Sequence, residues 1–277
     1  MRRDAAARGR MARLTAGAEA IEIKATIPHR QIREALARWG LSEDNDEERY
    51  IYFFDTPALD LLTAGVIARA RRTVGEEHDS TIKFRPVAPQ RVGREWHKYH
   101  GFKIEADASE KGLVKSASFT MPVERGLIKR VAAGEAAIGT LFAKEQVAFL
   151  AAMGRPKFQK ASMAVLGPLR AHRWQFEDPA CPWPLTMELW RREDGAQLME
   201  VSIKTPVIQA AAAVGGFMAF LAEVGAERDT AETAKTRWAL DFYAAKLAAR
   251  PRARAPAAPR AVRAASMPRS ARAAPRA

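Results

Sequence analysis

Apolar and polar positions alternate with period two in some stretches of this chain and with a period near 3.6 in others, and the switches between them mark its elements. Ala20 to Ile27 (AIEIKATI) alternates cleanly and predicts a strand. Pro28 suits a first helical turn, and HRQIREALARWG places Ile32, Leu36 and Trp39 on one helical face before Gly40 stops it. After the acidic loop SEDNDEE (42–48), YIYFF (50–54) reads as a strand of aromatic and β-branched residues that ends at Asp55-Thr56-Pro57. ALDLLTAG then spaces Leu59, Leu62 and Val66 like one face of a short helix, stopped by Gly65. From Val66 the period returns to two, so Arg69 and Arg71 share one face of a strand. A polar loop (74–80) separates them from a strand on which Thr81 and Lys83 do the same.

Beyond a loop at 86–94, Glu95 to Asp107 offers a strand with Lys103, Glu105 and Asp107 on one face. Residues 121–153 read as helical, in two pieces broken near Gly134 and Gly139. Four short strands follow at 157–165, 169–176, 185–192 and 197–204. Their turns are Gly167-Pro168, a proline-rich loop from Asp178 to Pro184, and the hairpin signal Glu193-Asp194-Gly195. Two helices, 207–224 and 229–249, end the periodic part, the second capped by Asp229. The pattern predicts an α+β fold with about eight strands, mostly antiparallel, flanking helices and a C-terminal helical pair. Closing such a sheet removes its edges, and an eight-stranded barrel has room for one small ligand.

Composition changes the picture mainly at the ends. The apolar share of 48% over 277 residues is ample for a core. Of the net charge of +13, most sits in two tails: 250–277 holds eight arginines and no acid, and 1–14 holds five arginines and one aspartate. Residues 1–18 are expected to be a disordered basic arm, 19–249 the folded domain, and 250–277 a disordered Arg/Pro/Ala-rich tail. That tail has two readings: weak, sequence-independent binding of nucleic acid or another polyanion, or a solvated segment without a partner. The lone Cys181 excludes an internal disulfide and suits a reducing compartment. No apolar run reaches the length of a membrane span and no signal-peptide core is present, so a cytoplasmic protein is expected.

The chemistry lies in charge that repeats with strand parity. A single Arg-x-Arg is what any open sheet shows to water. Here Glu22 with Lys24, Arg69 with Arg71, Lys83, Glu105 with Asp107, Glu188, and Glu200 with Lys204 recur across six strands. If these faces are interior, the charges must neutralise each other, a metal or a ligand. Arg and Lys complement phosphate oxygens, carboxylates suit a hard divalent cation, and a ligand with several phosphates and a metal satisfies both. His97 and His100 lack a second cluster, Cys181 lacks a partner histidine, and there is no P-loop, HExxH or Rossmann glycine pattern.

The segment 52–83, with Asp55-Thr56-Pro57, the Leu-to-Gly65 turn, Arg69-x-Arg71 and Thr81-x-Lys83 in order, resembles the signature of CYTH-domain proteins, the triphosphate tunnel metalloenzymes. That superfamily includes class IV adenylate cyclases, thiamine triphosphatases and inorganic triphosphatases. The resemblance covers roughly residues 19–205. It implies a closed eight-stranded antiparallel tunnel in which Glu22, Glu105, Asp107, Glu188 and Glu200 hold Mg²⁺ or Mn²⁺. Lys24, Arg69, Arg71 and Lys83 would hold the phosphates of a triphosphate or inorganic polyphosphate, with Lys160 and Lys204 as further candidates. Two departures stand out: Ala20 replaces the first Glu of the usual ExExK strand, and Ser202 stands where a second Glu is common. Lys160-x-Ser162 likewise replaces a basic Lys-x-Arg. The expected activity is a metal-dependent triphosphatase. The alternatives are a polyanion-binding module with a degenerate metal site, and an adenylate cyclase.

Overall fold

The structure, a computed structural model, describes residues 2–109, 112–154, 162–229 and 234–249. Nine strands close a barrel: β1 (Ala20–Ile27), β2 (Glu47–Asp55), β3 (Val66–Thr73), β4 (His78–Phe84), β5 (Phe102–Ser109), β6 (Gly112–Val123), β7 (Ala164–Asp178), β8 (Cys181–Arg191) and β9 (Gln197–Pro206). Their order round the barrel is β1-β5-β6-β4-β3-β2-β7-β8-β9. The expected eight antiparallel strands are therefore corrected to nine, with one parallel pair, β1 beside β5 (Glu22 opposite Asp107). Every other pairing is antiparallel, including the closure of β1 on β9.

The extra strand is β6, and its composition explains why periodicity misses it. Its lumen-facing positions are Ser116, Ser118 and Thr120, opposite Glu105, Lys83 and Thr81. Serine carries neither charge nor strong strand propensity, and threonine has the propensity without the charge. Residues 121–123 thus end a strand instead of opening a helix, and helix begins only with α4 (Leu127–Ala132) and α5 (Lys144–Ala152). The strand expected from Glu95 starts at Phe102, because Arg94–Lys98 forms a 3₁₀ turn over the core through Trp96. Gly167-Pro168 does not break β7: Gly167 takes φ 138° while the register to β2 shifts, and a Cβ there would lie 2.8 Å from the Ile51 carbonyl oxygen.

Outside the barrel lie α2 (Ile32–Arg38), the one-turn α3 (Asp60–Thr63) and α6 (Ala210–Glu223). The N-terminal segment corrects a second expectation. Its Arg/Ala-rich sequence is a good helix former and makes α1 (Arg2–Thr15), not a disordered arm. Met11 packs on the core, and buried Thr15 donates to the Met11 carbonyl at 3.0 Å. The last helix, α7 (Lys235–Ala248), has Ala234 and not Asp229 at its N-cap; the Asp229 amide instead donates to the Thr26 carbonyl at 2.8 Å. Lys160 and the tail 250–277 lie outside the described residues. No helix among the described residues is long and apolar enough to cross a membrane.

Two apolar clusters hold this together. The larger fills the space between the outer barrel face and the helices, through Phe54, Phe84, Phe119, Phe149 and Phe217 among others. In the smaller, Ala239, Leu240, Tyr243 and Ala244 of α7 pack on Ile51, Phe53, Leu169, Ala171 and Trp190. Ile51 stands opposite Arg71, Phe53 opposite Arg69, and Ala171 opposite Trp190, so these strand residues share the inner face of the barrel. Helix α7 therefore covers one end of the lumen from inside, anchored by the Tyr243 hydroxyl on the Pro168 carbonyl at 2.6 Å.

Candidate functional site: a charged lumen

The inner face of β1 carries Glu22 and Lys24, and the pairing register extends it. Lys24 lies opposite Ser202, Thr26 opposite Glu200, and Glu200 opposite Glu188, which in turn faces Arg173. Strand parity thus gathers the predicted charges on one concave surface, where Asp107 is buried and the others are partly exposed.

Two knots of charge form there. In the first, the Lys24 ammonium lies 2.8 Å from Glu22 and 3.2 Å from Asp107, while Lys83 and Arg85 approach Asp107 at 3.4 and 3.8 Å. The Ser116 hydroxyl donates to Asp107 at 3.3 Å and the Ser202 hydroxyl to Glu22 at 3.2 Å. Burial pushes the Asp107 carboxyl up, but Lys24, Lys83 and Arg85 outweigh it and hold the group well below the usual carboxylate range. Burial likewise pushes Lys24 down, and Glu22, Asp107 and Glu200 more than reverse it.

In the second knot, Glu188 and Glu200 stand directly opposite on β8 and β9, a repulsive arrangement for two carboxylates. Lys235, at the start of α7, resolves it with its ammonium 2.5 Å from Glu188 and 2.6 Å from Glu200, over the Trp190 ring at 4.6 Å. Arg49 reaches Glu188 at 3.5 Å. Glu188 is held well below its ordinary value: burial raises it, and Lys235, Arg49 and Lys24 lower it further than burial lifts it.

The two arginines of β3 differ. Arg71 forks onto Asp79, with Nε 3.0 Å and one terminal nitrogen 2.9 Å from Oδ2. Arg69 has no such partner among the described residues, and its Nε is buried without a hydrogen bond. Burial and the neighbouring Arg71 push its guanidinium down to about 10, against Asp79 and Glu188. A cation that remains charged at neutral pH, faces the lumen and lacks a counter-ion marks a place for an anion. Lys83, whose value burial also depresses, is close enough to Arg69 to feel its charge.

Of the residues expected from the sequence, Glu22, Lys24, Arg69, Arg71, Lys83, Asp107, Glu188 and Glu200 meet in this lumen. Glu105 pairs separately with Lys204, which is half exposed. Sequence reasoning missed Arg49, Arg85, Asp79 and Lys235. Arg85 continues the parity of Thr81 and Lys83, and Arg49 that of Ile51 and Phe53, so both were readable. Lys235 was not, since nothing in a helical sequence says that its first turn enters a barrel. A cavity of about 390 Å³ opens between Arg71, Asp79, His78, His100, Lys103 and Met121.

The DTP motif turns out to be scaffolding. Asp55 is buried, and its carboxylate accepts from the backbone amides of Thr56, Leu61 and Leu62 at 2.7–2.9 Å. It thereby fixes the tight turn in which Leu59 takes φ 58°, leading into β3 and its arginines.

The barrel is closed, and its lumen is lined by both signs of charge. Solved structures agree at the level of fold. A Bacillus halodurans protein proposed to be an adenylate cyclase superposes with a TM-score of 0.56 at 14% identity, covering 80% of this chain and 97% of its own. A Hippeastrum protein proposed to be an adenylyl cyclase, which reveals a dominant triphosphatase activity, gives 0.56 at 17% identity, covering 81% and 96%. At these identities the likeness shows a shared fold. No family model and no curated protein matches the sequence.

Proposed function

We propose that the lumen binds a linear triphosphate, inorganic or carried on a small organic group, and hydrolyses its anhydride with a divalent cation. The observation that carries the reading is Arg69, a lumen-facing guanidinium without a counter-ion beside Arg71 and Lys83. Phosphate oxygens are its natural complement: Arg69 offers a fork, and Lys83 and Lys24 offer point charges.

The acidic side fits the cation, though sparingly. Among the described residues no three acidic, histidine or cysteine side chains gather round one point. Glu188 and Glu200 nevertheless converge on a single position, now held by an ammonium. Mg²⁺ needs no more than one or two carboxylates besides substrate phosphates and water. Glu188 and Glu200 would hold it; Glu22 and Asp107 are tied to Lys24, and Glu105 to Lys204. When bound, the cation supplies charge neutralisation and an acidified water. The chain's own part is to align the phosphates on the β3 and β4 cations, and to exclude solvent from one end through α7. The triphosphatase activity of the Hippeastrum neighbour supports this reading.

A second reading, a polyanion-binding module, has a specific observation in its favour: each carboxylate named above already has a lysine or arginine, and Ala20 and Ser202 supply no ligand. Cyclisation of ATP is least supported, since no phenylalanine, tyrosine or tryptophan among the described residues lines the open cavity, and His78 and His100 are the only aromatic rings there to stack on adenine. Phosphate release from tripolyphosphate, thiamine triphosphate and ATP with Mg²⁺ or Mn²⁺ separates these. Hydrolysis of at least one, reduced about 100-fold or more by Glu200→Gln, is expected. Tight binding without release under any metal would leave the binding module standing.

A further inference from the structure

Lys235 has no place in the phosphate row, and it comes from a helix instead of the barrel wall. Its ammonium nonetheless sits where the facing carboxylates of Glu188 and Glu200 converge, within 2.6 Å of both. Its ammonium also lies over the Trp190 ring, and the turn that carries it continues into the apolar plug of Ala239, Leu240 and Tyr243. Without it, Glu188 and Glu200 would face each other in register, with Arg49 at 3.5 Å from Glu188 as the one other ion pair to either among the described residues and Lys24 near enough to feel both charges. No second cation centre fits beside an ammonium held that closely, because both would need the same carboxylate oxygens and would repel each other.

We propose that Lys235 is the resident counter-cation of the Glu188–Glu200 pair, and that a divalent cation enters only by displacing it. Lys235 is then a positioning residue that sets the metal affinity of the lumen. It neutralises the pair in the empty barrel, and its departure from the pair accompanies metal entry. This rests on the reading of that pair as the cation site, and it adds a named competitor within the chain.

The test reads metal binding alone, without triphosphate. Mn²⁺ is titrated into the full-length protein and into Lys235→Met, which keeps an unbranched apolar chain of similar length, by calorimetry or by the paramagnetic signal of free Mn²⁺. The variant is expected to bind Mn²⁺ at least 10-fold more tightly than wild type, and the gain should vanish when Glu200→Gln is added. Thermal melts give an independent readout. Lys235→Met should melt below wild type in metal-free buffer and recover with Mn²⁺, but not with K⁺ at equal ionic strength. If the variant does not fold alone, refolding with Mn²⁺ must restore it. Unchanged or weaker Mn²⁺ affinity, no Mn²⁺ binding in either protein, or no recovery of the fold with Mn²⁺ would overturn the proposal. Triphosphate hydrolysis by wild type would still be scored on its own assay, so the two ideas can fail separately.

Discussion

Arg69 stands in the lumen at the expense of the fold. Its guanidinium is pushed down to about 10 by burial and by Arg71, and its Nε lacks an acceptor. Because the folded value lies below the unfolded one, the charged form costs stability at neutral pH, and that cost eases only above about pH 10. Arg69→Met should therefore raise the melting temperature of the ligand-free protein by about 2–5 °C, since an uncompensated buried cation gives way to an apolar chain of similar length. The same variant should weaken tripolyphosphate binding by about 10-fold or more in calorimetry. A variant that is less stable than wild type, or binds as tightly, would show that Arg69 has a partner of its own.

At the scale of elements, the barrel depends on a few polar staples between layers. Gln146 of α5 is fully buried; its amide donates to the carbonyls of Ser80 and Phe119 at 3.0 and 2.9 Å. Its oxygen accepts from the Ala143 amide at 2.9 Å and the Ser80 hydroxyl at 3.0 Å. Gln146→Leu keeps the bulk but strands those groups between helix and sheet. It should cost about 2–4 kcal/mol in urea unfolding; a loss below about 1 kcal/mol would mean that water replaces the amide. Elements of this kind were unevenly legible beforehand. Strands β1, β3, β4 and β9 announced themselves because charge alternates with apolar residues, so their inward parity could be read and the site residues on them fell into place. Strand β6 hid because its lumen positions are hydroxyls. Helix α1 hid because an Arg/Ala stretch has helix propensity without a clear apolar stripe. The parallel contact of β1 with β5 is a property of closure, which no local pattern encodes.

For the whole molecule, the lumen makes acid the main threat to stability. Glu22, Asp107 and Glu188 are all held below their ordinary values by lysines and arginines that outweigh their burial. A depressed carboxylate contributes stability that is present above its unfolded value and lost as pH falls towards the folded one. Unfolding free energy should therefore be flat from about pH 6 to 8 and fall below pH 4 with a slope approaching two protons or more, about 2.7 kcal/mol per pH unit. Urea titrations at pH 5, 4 and 3 measure it directly. A slope under one proton would mean that these carboxylates are neutralised by water and not by the barrel's own cations.

The closure of β1 on β9 sets the order of events as the chain is made. Ala20 must find Pro206, and β1 lies between β5 and β9, so the ring stays open until most of the chain has left the ribosome. Long-range pairings of this kind come late, after the entropy of closing a long loop has been met. Until then the lumen is a trough, its carboxylates and arginines hydrated and free of one another. Glu188 and Glu200 belong to adjacent strands of one hairpin, whereas Lys235 docks from a helix further along the chain, so the local pair forms before the longer-range contact. During that interval a dissolved cation or phosphate meets no internal competitor, so the nascent trough is more open to ions than the finished barrel.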